Sequence, residues 1–145
     1  DIDHFKEIND QVGHFSGDQV INHVAKICQR AIRGTDFIGR LGGEEFAVIL
    51  VNTSAIQAYD VAERIRGAIQ NAPCQVDGIE ISTTVSIGVA EYDGQVSNAK
   101  ELMINADKAM YYSKHSGRNQ VTLHHDCIPD VKIQHSLNLN IQKVS

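Results

Sequence analysis

Long apolar runs, paired cysteines and an excess of basic charge are all missing from this chain of 145 residues. No apolar run approaches the roughly 18–20 residues of a membrane helix, so no span is expected. Nor is there a basic start leading into an apolar stretch and a small-residue cleavage site, the pattern of a secretory leader. The chain starts at Asp1 without a methionine, which leaves open a membrane anchor further upstream. Its three cysteines, Cys28, Cys74 and Cys127, are scattered and odd in number. They offer neither a disulfide framework nor paired metal-ligand spacing, and point to a reducing, cytoplasmic setting. A formal net charge of -5 argues against a surface that grips a nucleic acid polymer by neutralising phosphates. A small nucleotide, held by metal ions and a few local cations, remains compatible with it.

What is present fits one ordinary globular domain, 42% hydrophobic and 21% charged, with no internal repeat. Apolar residues recur at helical spacing over 18–33 (Val20, Ile21, Val24, Ile27, Cys28, Ala31, Ile32), 54–70 (Ala55, Ala58, Ala62, Ile65, Ile69) and 98–114 (Leu102, Met103, Ala106, Ala109, Met110). A shorter helix is predicted over 4–11. Residues 46–51 form a continuous apolar run, as in a strand covered on at least one face. Ile79, Ile81, Thr83, Val85, Ile87 and Val89 alternate with period two and predict a strand. Two further strands are predicted over 37–41 and 120–123, and Gly42-Gly43-Glu44-Glu45 reads as a hairpin turn. Helices mixed with strands in one small core predict an α/β (α+β) sandwich, with helices over a mixed, largely antiparallel central sheet.

Two patches carry candidate chemistry. Glycines at the hairpin let the backbone approach a ligand closely, and the adjacent carboxylates of Glu44 and Glu45 repel one another unless a cation sits nearby. Asp1-Ile2-Asp3 looks like the end of a strand. Carboxylates at a strand end and at a neighbouring hairpin can converge on Mg²⁺, which takes one or two carboxylates together with phosphate oxygens. A solvated acidic turn is the plain alternative.

Several blocks, in order, resemble the GGDEF family of diguanylate cyclases. Asp1-Ile2-Asp3-His4-Phe5-Lys6-Glu7-Ile8-Asn9-Asp10, Gly13-His14 and Gly17-Asp18 look like its first half, and Arg40-Leu41-Gly42-Gly43-Glu44-Glu45-Phe46 is similar to its signature in the GGEEF form. Residues 84–90, 106–114 and Gly117-Arg118-Asn119 match its later blocks. The resemblance implies a palm-like fold with the signature on a β-hairpin. It implies an enzyme that condenses two GTP molecules into cyclic di-GMP and pyrophosphate across a homodimer, with two Mg²⁺ (or Mn²⁺) ions in each active half-site. On it, Asp1 and Glu44 would be metal ligands with the Ile2 carbonyl assisting. Glu44 would take the hydroxyl proton, and Glu45 would be a lesser catalytic contributor. Asn9 and Asp18 would read guanine, an amide offering donor and acceptor and a carboxylate accepting from N–H groups. Lys6, Lys114 and Arg118 would hold phosphates, Gly42 and Gly43 would let the backbone approach, and Phe5 and His4 would flank the nucleotide. Taken singly, Phe5 also reads as core, Arg118 as a loop cation, and Asp18 as a helix N-cap.

Arg33-Gly34-Thr35-Asp36, just ahead of the signature, is similar to the family's R-x-x-D inhibitory site, with Arg64 as supporting arginine. Product bound there would restrain the enzyme. The family's domain starts earlier than Asp1, so 1–125 is expected to be a domain lacking its N-terminal block, 126–145 a tail or linker, and a sensory domain to lie upstream. A non-catalytic cyclic di-GMP receptor or a dimerisation module is the competing reading.

Overall fold

The computed structural model describes residues 1–127 apart from Gln95; most of the expected tail over 126–145 lies outside the described residues. The elements run α1 (Phe5–Ala31), β1 (Phe37–Gly42), β2 (Glu45–Ile49), α2 (Ala55–Gln70), β3 (Cys74–Val76), β4 (Ile79–Ile81), β5 (Ile87–Val89), α3 (Ala99–His115) and β6 (Val121–Leu123). A single 3₁₀ turn follows over His124–Cys127. The strands form three two-stranded ladders. β1–β2 and β3–β4 are antiparallel, and β5–β6 is parallel. The architecture is therefore a mixed α/β fold of three helices and small sheets.

The segment 1–3 joins these ladders. Asp3 N–H donates to the Thr84 carbonyl (2.9 Å), Ser86 N–H to the Asp1 carbonyl (3.1 Å), and Ile2 N–H to the Glu44 carbonyl (3.3 Å). Ile2 itself is buried in the main core, among Phe5, Val20, Val24, Ile65, Ile69 and Val85. A smaller cluster of Ala62, Val89 and Val121 lies where α2 meets β5 and β6. The β5–β6 pair thus lies between α2 and α3. On the α3 side, Gly88 has no room for a side chain: a Cβ there would meet backbone atoms of Ala106, Ala109 and Met110. Buried Ser113 ties the layer together, its hydroxyl bonded to the Ile87 carbonyl (3.0 Å) and the Thr122 hydroxyl (2.7 Å).

Local signals account for the helix ends. Ser54 and Gln57 form a reciprocal capping box at α2, and the Glu91 carboxylate accepts from Ala55 N–H at 3.0 Å. Asn98 caps α3 through Glu101 N–H, and Lys114 and His115 lie in its last turn, where positive charge is favoured.

Two expectations are corrected, and one strand is added. Asp18 is not an N-cap: α1 breaks only at Gly13 (φ 82, ψ 160), a backbone that glycine tolerates, so helix has resumed before Asp18. The strand expected over 79–89 is two strands, because residues 84–86 give their backbone bonds to segment 1–3. The alternation holds for Ile81, Thr83 and Val85, all buried, but Ile79 is exposed and Ser86, on the opposite phase, is fully buried. Finally, β3 is a strand of three residues that periodicity did not announce, too short to carry a period.

Candidate functional site

The signature turn is a tight hairpin. Phe37 pairs with Ile49 and Arg40 with Phe46, after which the register slips so that Gly42 faces Glu45. Gly43 takes a left-handed backbone (φ 50), and Arg40 Nε donates to its carbonyl at 2.8 Å, clasping the turn. Gly42 and Gly43 are exposed with nothing within 4 Å of a would-be Cβ, so the backbone is open to a ligand. Glu45 is exposed and Glu44 half-buried.

The bond from Ile2 N–H to the Glu44 carbonyl places the end of the Asp1–Asp3 segment against this turn. The Asp1 carboxylate is 6% exposed and accepts from Lys114 Nζ at 3.0 Å. The Asp1 carboxylate, the Glu44 backbone carbonyl and the Lys114 ammonium are thus brought together from three separate parts of the chain. Among the described residues no three His, Cys, Asp or Glu side chains cluster closely enough to hold a metal by themselves. The donors available from Asp1, Ile2 and Glu44 are all hard oxygens. That partial set fits Mg²⁺ or Mn²⁺, which keep waters and take substrate phosphates as further ligands.

Asp3 differs from its neighbour two residues away. It is 3% exposed and accepts from Ser86 Oγ (2.6 Å), Thr84 Oγ1 (2.7 Å) and Asn119 N–H (3.0 Å). Its acceptor capacity is spent inside the protein, so it braces the site. Sequence reasoning assigned it no separate role; a buried carboxylate among hydroxyls has no local sequence signature.

On α1, Asn9 is half-buried and Asp18 exposed. Gly17 explains how they coexist. It is buried, and a Cβ there would collide with Asn9 Oδ1 and come within 3.0 Å of Asn9 Cγ and 3.2 Å of Phe5 Cζ. Asn9 Oδ1 is a buried acceptor without a protein partner. Phe5 is packed into the core at 7% exposure, in line with its plain reading. His4, at φ 56, is exposed and pairs with Glu7 Oε2 at 2.8 Å. Lys6 and Arg118 are exposed; Arg118 has a left-handed backbone (φ 61) and donates its N–H to the Ser113 carbonyl at 3.0 Å.

A separate cleft of about 200 Å³ is lined by Arg33, Asp36 and Arg64 together with Thr53, Gln57 and Asp60. Asp36 accepts from Arg33 N–H (2.9 Å) and Val51 N–H (3.1 Å), and Arg64 Nη2 donates to the Ala31 carbonyl (2.7 Å). The expected inhibitory residues thus share one cleft, and Gln57 and Asp60 are lining residues that the R-x-x-D string did not reveal.

The family model for the diguanylate cyclase GGDEF domain matches residues 1–120. This chain belongs to the GGDEF domain family. It is 49% identical over 129 residues to diguanylate cyclase A of Treponema denticola, covering 89% of this chain and 35% of that protein. Diguanylate cyclase DgcP of Pseudomonas aeruginosa is 40% identical over 121 residues, or 83% of this chain and 18% of that one. The chain therefore spans about a third or less of these relatives. Among solved structures it is similar to the GGDEF domain of YfiN from P. aeruginosa, with a TM-score of 0.81 and 39% identity over 85% of this chain and 77% of that one. The GGDEF domain of DgcB from Caulobacter crescentus, solved in complex with c-di-GMP, also scores 0.81, at 38% identity over 86% of this chain and 74% of that one.

Proposed function

We propose that the protein containing this chain is a diguanylate cyclase, condensing two GTP molecules into cyclic di-GMP and pyrophosphate across a homodimer. One observation carries the reading: the Asp1–Ile2 segment is bonded to the signature turn at Glu44 and to Lys114 on α3. The Asp1 carboxylate and the Lys114 ammonium therefore meet beside the signature turn. Asp1, Glu44 and the Ile2 carbonyl hold Mg²⁺ or Mn²⁺, two ions per half-site, which when bound lower the pKa of an attacking hydroxyl and neutralise the transferring phosphate. Lys114, Lys6 and Arg118 position the phosphates, and the glycine turn lets backbone N–H groups approach them. Glu44 accepts the 3′-hydroxyl proton, with Glu45 alongside. Asp18 accepts from the guanine N–H groups and Asn9 supplies the complementary amide, while His4 and Phe5 border the base.

The cleft of Arg33, Asp36 and Arg64 binds the product and restrains turnover. Residues 1–125 constitute the cyclase domain and 126–145 a tail or linker, with a sensory domain upstream and the catalysis cytoplasmic. Among the described residues no helix is long and apolar enough to cross a membrane. The test uses the full-length protein with GTP and Mg²⁺, following cyclic di-GMP and pyrophosphate, beside Glu44→Ala. Product from the parent and at least about 100-fold less from the variant is expected. A folded, dimeric parent that makes none, yet binds cyclic di-GMP through Arg33 and Asp36, is instead a receptor.

A further inference from the structure

The loop between α3 and β6 holds Arg118 and Asn119 at φ 61 and φ 46, two successive left-handed residues. Asparagine tolerates that region; arginine does so rarely, so neighbouring groups must hold the turn. Two of them grip Asn119, one at its backbone and one at its side chain. Its N–H donates to Asp3 Oδ2 at 3.0 Å, and its Oδ1 accepts from Arg66 Nη1 at 2.9 Å.

Arg66 reaches across from α2. Its Nε and Nη2 bond the Glu63 carboxylate at 3.0–3.1 Å, and Nη1 also reaches Gln70 Oε1 at 2.8 Å. Every nitrogen of the guanidinium is thus bonded to a protein acceptor, and its side chain is only 20% exposed. That is the setting of a strut. A phosphate ligand would keep its donors accessible, and Arg118 is exposed.

We infer that Arg66 is a positioning residue for nucleotide binding. Acting through Asn119, it fixes the backbone that presents Arg118 to a substrate phosphate. The inference rests on the reading that Arg118 holds phosphate. No motif pointed to it, because Arg66 and Asn119 are 53 residues apart.

The test is a mutant cycle in the full-length protein. It reads the dissociation constant of a non-cleavable GTP analogue with Mg²⁺ by titration calorimetry, together with kcat and the melting temperature. Arg118→Ala should weaken analogue binding about tenfold or more, the loss of a charge-assisted contact. Arg66→Gln should weaken it by about tenfold alone and by less than about twofold when Arg118→Ala is already present. Asn119→Gly keeps the left-handed backbone and the N–H to Asp3 but deletes Oδ1. It should reproduce the Arg66→Gln loss, and it serves if Arg66→Gln fails to fold. Asn119→Asp, which keeps an acceptor for Arg66, should restore binding to within about threefold of the parent. Unchanged binding in Asn119→Gly, or an equal loss with and without Arg118, would overturn the inference and leave Arg66 a stabilising contact. Unchanged binding in Arg118→Ala refutes the phosphate role of Arg118 itself and takes the inference with it.

Discussion

Removing the Asp3 carboxylate should cost more stability than any other single polar deletion near the site. Asp3→Ala leaves the hydroxyls of Ser86 and Thr84 and the N–H of Asn119 without their acceptor. A buried donor left unpaired costs about 1–3 kcal/mol. Ser86 is fully buried and counts near the upper figure. Thr84 and Asn119 are half-exposed and count near the lower, since water can replace part of what is lost. Their sum is about 3–5 kcal/mol, a large share of the roughly 5–15 kcal/mol that holds a domain together. Asp3→Asn keeps one acceptor oxygen but turns an NH₂ toward donors. Either hydroxyl can rotate to accept from it, whereas the Asn119 N–H cannot reverse, so a loss of about 1–3 kcal/mol is expected. Ser86→Ala removes a donor and leaves the carboxylate two partners, for about 1 kcal/mol. Urea unfolding followed by circular dichroism should rank the three in that order. An Asp3→Ala protein within 1 kcal/mol of the parent would refute the argument that this carboxylate organises the segment.

Two further perturbations separate packing from recognition and from proton binding. Gly17→Ala drives a methyl into the Asn9 amide and the Phe5 ring; it should weaken binding of a GTP analogue by roughly tenfold, and unchanged affinity would show that the amide does not need that space. Burial pushes the Cys28 thiol up from 9.0 to about 11. With the folded value the higher, the stabilisation is complete below pH 9 and is lost as pH rises through 11, amounting to about 2–3 kcal/mol. Cys28→Ala should therefore flatten the pH dependence of urea stability between pH 9 and 11, and an unaltered slope would refute the assignment to this thiol.

The sequence made legible whatever is local. Helical periodicity placed α2 and α3 to within a residue or two, and the glycines of the signature announced the turn that Gly43 makes at φ 50. Carboxylates at a strand end and at a hairpin suggested that Asp1 and Glu44 converge, and motif resemblance added the Ile2 carbonyl and Lys114 to that grouping. Periodicity could not supply it, since these residues stand at both ends and in the middle of the domain. Alternation over 79–89 foretold the inward side chains of Ile81, Thr83, Val85 and Val89, but not that Ile79 is exposed and Ser86 buried, nor which backbone the segment pairs with. The partner changes from β3, to segment 1–3, to β6 along eleven positions without any change in the pattern.

The same limit explains why the supporting residues escaped notice. Asp1 and Asp3 are chemically identical and two apart, yet one pairs with a lysine and the other is enclosed by two hydroxyls and an amide. Nothing within reach of a motif distinguishes them. The difference is made by Thr84, Ser86 and Asn119, between 81 and 116 residues away. A carboxylate so enclosed has its lone pairs directed to fixed donors, which leaves it poorly placed to take a cation as well. The difference within Asp-Ile-Asp is therefore a property of the surrounding fold: Asp3 is committed to holding the segment in place, while Asp1 pairs with a lysine from α3.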